Sequence, residues 1–233
     1  MPAYNEAENI EDVVKQWYPV AERIVSGGGS CTIVVANDGS KDNTWEILSS
    51  LQAKYPLLTP LNKPNSGHGA TVLYTYHYAI ENGANYIFQT DSDGQTLPEE
   101  FWSMWESRSK ASFHIGTRCG RQDGASRVFV TKTLRFVVWF MFGVWVKDAN
   151  TPFRLMHADS LSAVMSYIPQ DFFLANVAIS AIAVKKDESI AWYPITFRPR
   201  QGGVNSINMK RIFKIGWKAL WDFKKINDNL KSI

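Results

Sequence analysis

The chain has 233 residues, 45 % of them hydrophobic and 20 % charged, which is enough for one α/β core and little beyond it. A formal net charge of +3 excludes a polycation that would coat nucleic acid; two cysteines without metal-ligand spacing, Cys31 and Cys119, exclude a disulfide scaffold and fit a reducing compartment. The longest apolar run, Phe136 to Val146, is about half of the roughly 20 residues a membrane-spanning helix needs, and the polar first ten residues show no secretory signal.

Apolar residues at Ile10, Val13, Val14, Trp17 and Ala21 fall at helical spacing, with Asn5 and Glu8 as a capping pair and Gly27-Gly28-Gly29 past the end. Cys31 to Ala36 reads as a buried strand running into the turn Asn37-Asp38-Gly39-Ser40. A helix from about Asn43 buries Trp45, Leu48 and Leu51, and a short strand follows at Leu57 to Leu61. The glycine loop Asn65-Ser66-Gly67-His68-Gly69 opens a third helix with Val72, Leu73, Tyr76 and Ile80 on one face. Tyr86 to Thr90 is a strand that leads straight into Asp91-Ser92-Asp93-Gly94.

Beyond that point come a helix from Pro98, a strand at Phe113 to Thr117, helices over Ser126 to Val144 and Phe172 to Lys185, and a strand at Ile190 to Phe197. A basic amphipathic helix is expected from Met209 to Ile226, in a stretch where positive charge gathers. Strands alternating with helices predict a mainly parallel sheet covered by helices. With no repeat or linker, the reading is a single domain over 1–233, with a nucleotide-binding half (1–117), an acceptor-side half (118–208) and the C-terminal helix (209–233). Nothing apolar precedes Met1-Pro2-Ala3-Tyr4, so the usual first strand of such a sheet is expected to be missing.

Open α/β sheets bind ligands past the C-terminal ends of their strands, and acidic residues stand at two such places: Asp38, and Asp91 with Asp93. Mg²⁺ and Mn²⁺ take hard oxygen ligands and share them with substrate phosphates. Asp91 and Asp93 in one tight turn, with Gln95 two residues on, could hold such an ion against a diphosphate and offset the charge of a departing nucleotide. A solvated Asp-Ser-Asp-Gly turn is the plainer reading of those residues alone.

Four segments in order weigh against it: Pro2-Ala3-Tyr4-Asn5-Glu6, the run Val34 to Thr44, the loop Asn65 to Thr71, and Thr90 to Gln95. Together they resemble the family 2 glycosyltransferases of GT-A fold, in particular the branch holding dolichol-phosphate mannose synthase and bacterial polyprenyl-phosphate glycosyltransferases. The resemblance runs from Pro2 to about Ser206. It implies that Pro2, Tyr4, Glu6, Asp38 and Gly67 line the donor pocket, that Asn37 replaces a common Asp, and that Asp91, Asp93 and Gln95 form the metal side. Gly116-Thr117-Arg118 resembles the family's Gly-Ser-Arg, and Arg127 with Thr131 its Arg-x-x-x-Ser, a set that grips the acceptor phosphate through arginine forks. A solvated surface is the alternative for Arg118, Arg121 and Arg127.

Phe197 to Gly203 resembles the family's flexible loop, from which Arg200 would reach the donor diphosphate; Asn205-Ser206 stands where a Ser-Lys pair is common. Asp148, in a stretch similar to Asp-x-x-x-Gly-Phe-Arg with Pro152 in the glycine's place, would be the general base for a sugar hydroxyl acceptor. With a phosphate acceptor it would only order its loop. His68 is either a donor contact or a plain loop residue. The run Phe136 to Trp145 is either core packing or the wall of a lipid tail, and the last helix either interfacial or packed on the domain.

The resulting expectation is an inverting transfer from a UDP- or GDP-linked sugar to a polyprenyl phosphate, with Mg²⁺ or Mn²⁺, catalysed by Asp93, Asp148, Arg118 and Arg127. The domain would lie in the cytoplasm against the cytoplasmic face of a membrane, without a nucleic-acid partner. Two rivals stand beside this reading: transfer to a sugar hydroxyl in surface polysaccharide synthesis, and a truncated domain that binds nucleotide sugar without turning it over.

Overall fold

Residues 1–119, 125–199 and 220–230 are described by a computed structural model, with backbone alone for 125–132. The chain opens on a two-residue strand, β1 (Pro2–Ala3), in the place where a first strand was expected to be missing. It pairs in parallel with β2 (Ile33–Asp38), Pro2 opposite Ala36, and the ladder continues through Met1, whose nitrogen donates to the Val34 carbonyl. Between them runs α1 (Ile10–Ser26), which buries the expected stripe of Ile10, Val13, Val14, Trp17 and Ala21.

The expected Asn5–Glu8 cap does not form. Asn5 takes a left-handed backbone (φ 54°) and spends its polar groups on the next loop: its N–H donates to Ser40 Oγ and its Oδ1 accepts from Lys41 N. The helix starts instead under Glu6, whose carbonyl accepts from Asn9 N and Ile10 N.

After α2 (Thr44–Lys54), where Trp45 is only half-buried while Leu48 and Leu51 are fully inside, β3 (Leu58–Lys63) pairs in parallel with β2 and closes a three-stranded sheet. Pro60, which cannot donate to a ladder, is tolerated because β3 is an edge strand. Helix α3 (His68–Glu81) buries Val72, Leu73 and Tyr76 and leads to β4 (Tyr86–Gln89).

A second sheet of four strands has the order β4, β6, β5, β7. A short turn at Pro98–Glu100 and α4 (Phe101–Glu106) precede β5 (Phe113–Cys119); α5 (Ala125–Phe142) follows, ended by Gly143 at φ 71°. Then come β6 (Arg154–His157), α6 (Ala158–Met165), α7 (Ala175–Lys185) and β7 (Ile190–Thr196). Strand β6 runs antiparallel to both neighbours, so three of the five strand pairings are parallel and two are not. Neither β6 nor α6 was expected from the sequence.

Two clusters form the core. One joins α1, α2 and α4 to strands of both sheets and includes an aromatic knot in which Phe88 of β4 meets Trp17, Phe101 and Phe153. The other centres on α7, buried along nearly its whole length against α3, α5 and α6. Helix α5 has two faces, so core packing and exposure both hold: Val138 and Phe142 are inside, while Phe136, Trp139 and Phe140 face outward. Residues 220–230 form a helix, α8, that seats Phe223 and Ile226 in the same core; the rest of the expected basic helix lies outside the described residues.

Candidate active site

The C-terminal ends of β1, β2, β4 and β5 bring the sequence motifs together. Ser92, in the turn after β4, donates from Oγ to the Pro2 carbonyl at 2.7 Å, which ties the Asp91-Ser92-Asp93 turn to the first segment of the chain. Tyr4 is exposed beyond β1. Glu6 is buried; its N–H donates to Thr44 Oγ1 and its carboxylate accepts from Asn9 Nδ2. Glu6 therefore builds the loop that presents Tyr4.

Asp38 closes β2 as a clamp on the glycine loop. Its Oδ1 accepts from Lys63 Nζ at 2.6 Å and Ser66 N at 2.8 Å, and its Oδ2 from Gly67 N at 2.9 Å. Lys63 also reaches the Pro64 carbonyl, Ser66 Oγ and Thr71 Oγ1. Burial alone would raise the Asp38 carboxyl, but bonds from Lys63, Ser66 and Thr71 and the lysine charge outweigh it, holding the carboxyl below the usual carboxylate range. A folded-state value below the unfolded one contributes stability above the unfolded value of about 4 that is lost as pH falls through the folded one. Asp38→Asn is thus expected to flatten the acid limb of a melting-temperature profile; an unchanged limb would remove Asp38 from that role.

Glycine is required at two contacts here. A Cβ on Gly39 (φ 62°) would sit 2.7 Å from Asn65 N, and one on Gly69 would sit 2.3 Å from the Phe173 carbonyl group. The turn after β2 is packed against the Asn65 backbone, and the first turn of α3 against the backbone of Phe172 and Phe173. Asn37 turns away from this clamp, donating from Nδ2 to Asn62 Oδ1 and accepting from Ser40 N.

Asp91 stands at the end of β4 with its Oδ1 buried and without a hydrogen-bond partner; His68 Nε2 is 3.9 Å away. Asp93 Oδ1 accepts from Gln95 N at 3.2 Å. The Gln95 side chain donates to the Arg198 carbonyl at 2.7 Å, and Arg198 N donates to the Gln95 carbonyl at 2.8 Å. Gln95 therefore straps the segment that leads into Arg200 onto the acidic turn, while Arg200 itself lies outside the described residues.

At the end of β5, Arg118 donates from Nε to Asp148 Oδ2 at 2.8 Å and from Nη2 to Asp148 Oδ1 at 2.7 Å. Their side chains are only 9 % and 6 % exposed, so this is a buried bidentate pair. The Phe197 ring lies 5.3 Å from the guanidinium carbon. The backbone of Arg127 and Thr131 falls in the first turns of α5; their side chains, and all of Arg121, lie outside the described residues.

Among the described residues no group of three or more His, Cys, Asp or Glu side chains could hold an ion by itself. Asp91 and Asp93 fit an ion that takes one or two carboxylates and completes its shell with phosphate oxygens and water, as Mg²⁺ and Mn²⁺ do. The orphaned Asp91 Oδ1 is the observation that favours this, since a buried carboxylate oxygen without a partner is costly.

Residues 1–162 match the glycosyl transferase family 2 profile. The chain belongs to glycosyl transferase family 2. It is 24 % identical over 243 aligned residues to polyprenol monophosphomannose synthase of Mycolicibacterium smegmatis, covering 100 % of this chain and 89 % of that one. Identity to undecaprenyl-phosphate mannosyltransferase of Micrococcus luteus is 22 %, over 95 % of this chain and 94 % of the relative. A dolichyl-phosphate beta-glucosyltransferase of Trichomonas vaginalis is 38 % identical, over 59 % of this chain and 42 % of its own.

Among solved structures, glucosyl-3-phosphoglycerate synthase of Mycobacterium tuberculosis, in complex with Mn²⁺, UDP-glucose and phosphoglyceric acid, superposes with a TM-score of 0.68. That match has 15 % identity and covers 97 % of this chain and 78 % of that one, which shows the fold. As a family 2 member the chain is a glycosyltransferase of GT-A architecture. Two site features escaped the sequence reading, the Lys63 clamp and the Arg118–Asp148 pair, while Arg154, the arginine of the stretch similar to Asp-x-x-x-Gly-Phe-Arg, was given no role. The clamp and the pair carry no local signal, because they join residues 25 and 30 apart.

Proposed function

We propose that the protein moves a sugar from a nucleoside diphosphate, bound with Mg²⁺ or Mn²⁺, to a polyprenyl phosphate with inversion at the anomeric carbon. The observation that carries the choice of acceptor is the Arg118–Asp148 pair. A sugar hydroxyl needs a base to take its proton. Both oxygens of Asp148, the candidate for that task, accept bonds from Arg118. A phosphate is already anionic and needs no base. The relatives named for polyprenol, undecaprenyl and dolichyl phosphates support the same choice.

The residues divide accordingly. Tyr4 and the loop clamped by Asp38, with Gly67 at its turn, face the donor, and Arg200, which follows the segment strapped by Gln95, is assigned to its diphosphate. A divalent ion at Asp91 and Asp93 would offset charge gathering on the leaving nucleoside diphosphate. Arg118, fixed by Asp148, joins Arg127 and Thr131 in orienting the acceptor. One acceptor oxygen forms the new bond to the anomeric carbon as the bond to the diphosphate breaks, and the diphosphate leaves with that electron pair.

The test is a thermal-shift panel of UDP, GDP and CDP with and without Mn²⁺, followed by transfer to farnesyl phosphate from the matching nucleotide sugar. Manganese-dependent stabilisation by one nucleotide of several degrees, and a glycosylated lipid product, are expected. Product formation on a free sugar but not on farnesyl phosphate would hand the site to the hydroxyl-acceptor reading.

A peripheral membrane position accompanies this function. No helix among the described residues is long and apolar enough to cross a bilayer. Phe136 and Phe140 are 59 % and 70 % exposed on one face of α5, with Trp139, Trp145 and Trp221 also outward. Cations accompany the indoles: the Arg135 guanidinium is 5.6 Å from the Trp145 ring and Lys224 Nζ 6.0 Å from the Trp221 ring. Aromatic side chains flanked by basic ones suit an anionic headgroup layer. Phe136→Ser with Phe140→Ser should lower binding to mixed phosphatidylcholine–phosphatidylglycerol vesicles about tenfold or more in a sedimentation assay, nucleotide binding unchanged. Equal sedimentation of the variant and the unaltered protein would exclude this face.

A further inference from the structure

Arg154, the first residue of β6, is the largest fully buried side chain of the described residues, at 0 % exposure. Its Nε donates to the Thr151 carbonyl and its Nη2 to the Ala149 carbonyl, each at 2.7 Å, while Nη1 has no partner. Burial pulls the guanidinium down to about 10, with Tyr76, Asp148 and Asp91 opposing the fall, so it stays charged at neutral pH. An apolar side chain of the same volume would fill this space without the desolvation cost of a buried charge. The cation therefore calls for a reason beyond packing.

Its position supplies one. Arg154 stands opposite Gln89 on β4 and Ile115 on β5, between the strand that leads into Asp91 and the strand that carries Arg118. Its two acceptors are the carbonyls one and three residues past Asp148. Ala149 is held a second time, by Ser180 Oγ of α7 at 3.2 Å, so the loop carrying Asp148 is pinned from two elements.

We infer that Arg154 is a positioning residue: from beneath the site its fork fixes the loop over 148–151, which keeps Asp148 docked on Arg118 and Arg118 aimed at the acceptor phosphate. The inference rests on the acceptor reading given under Proposed function. A lysine keeps the charge at this position but cannot reach both carbonyls with a rigid fork.

The test is a cycle of Arg154→Lys, Asp148→Asn and the double variant, read by calorimetric binding of farnesyl phosphate, by nucleotide binding and by melting temperature. Arg154→Lys is expected to weaken farnesyl phosphate about tenfold, to leave nucleotide affinity within about twofold, and to cost little more once Asp148 is Asn. Equal losses in both backgrounds, or a matching loss of nucleotide affinity, would overturn the role. If the unaltered protein binds nucleotide but not farnesyl phosphate, the acceptor reading fails. The cycle is then decided in melting temperature, where additive losses overturn the inference and coupled losses sustain it. Should Arg154→Lys not fold, Ser180→Ala, which loosens the same loop from α7, is expected to weaken farnesyl phosphate selectively; an equal effect on nucleotide overturns the proposal.

Discussion

Asp91→Asn is expected to lower transfer by at least about a hundredfold and to remove the Mn²⁺ dependence of nucleotide binding, while the melting temperature without metal stays within about 2 °C. The two halves of that result have different causes. The Asp91 Oδ1 atom is buried and accepts no hydrogen bond; His68 Nε2 is 3.9 Å away, and the carboxylate also attracts the buried Met1 ammonium. A carboxylate held this way is a cost to the fold, and an amide of the same shape lessens it. Against that gain stands the loss of attraction to Arg154, which Asp91 helps to keep charged. Stability is thus nearly balanced, whereas an ion loses a hard anionic ligand outright. Asp93→Ala should also abolish transfer, but with some loss of order in the turn, because Asp93 Oδ1 accepts from Gln95 N. Full activity of Asp91→Asn at saturating Mn²⁺, measured beside an unshifted nucleotide response, would move the metal away from this turn.

Much of the donor side was legible because its signals are local. The stripe of α1, the strand ending in Asp38, the loop opening α3 and the turn after β4 all lie in short stretches with one periodicity or one turn chemistry. Where a local rule failed, a tertiary contact had overridden it. Asn5 is a good capping residue, yet Ser40 and Lys41 claim its hydrogen bonds from across the loop. Strand β6 has only four residues, Arg-Leu-Met-His, and starts on a charge that hydropathy would place outside. It becomes a central strand because Arg154 finds its partners in the preceding loop rather than in water.

The acceptor side was the harder half for a related reason. Its central pair joins residues 30 apart, and its direction is set by where β5 ends and how the loop over 148–151 is pinned. A sequence can mark Asp148 as acidic and Arg118 as basic, but not that each consumes the other. That distinction decides whether Asp148 is a base or a brace.

Replacing Asp148 tests it with opposite signatures for the two roles. As a brace, Asp148→Asn and Arg118→Ala should share one phenotype: an acceptor KM raised about tenfold or more, a nearly unchanged nucleotide affinity, and a double variant no worse than either single one. As a base, Asp148→Asn would lower kcat by about 10²-fold or more at saturating acceptor, and Arg118→Ala would not. Stability adds an independent reading. The pair is buried at 9 % and 6 % side-chain exposure, so removing one partner leaves the other charge uncompensated at a cost of about 3–5 kcal/mol. Exchanging both for apolar residues, as Arg118→Met with Asp148→Leu, should recover most of that loss because no charge is then stranded. Acceptor binding should not recover, since the cation that meets the phosphate is gone. A double variant that regained both stability and transfer would show that the pair serves the fold alone. One that regained stability while transfer to farnesyl phosphate stayed lost would separate the two contributions and leave Arg118 as the acceptor's contact.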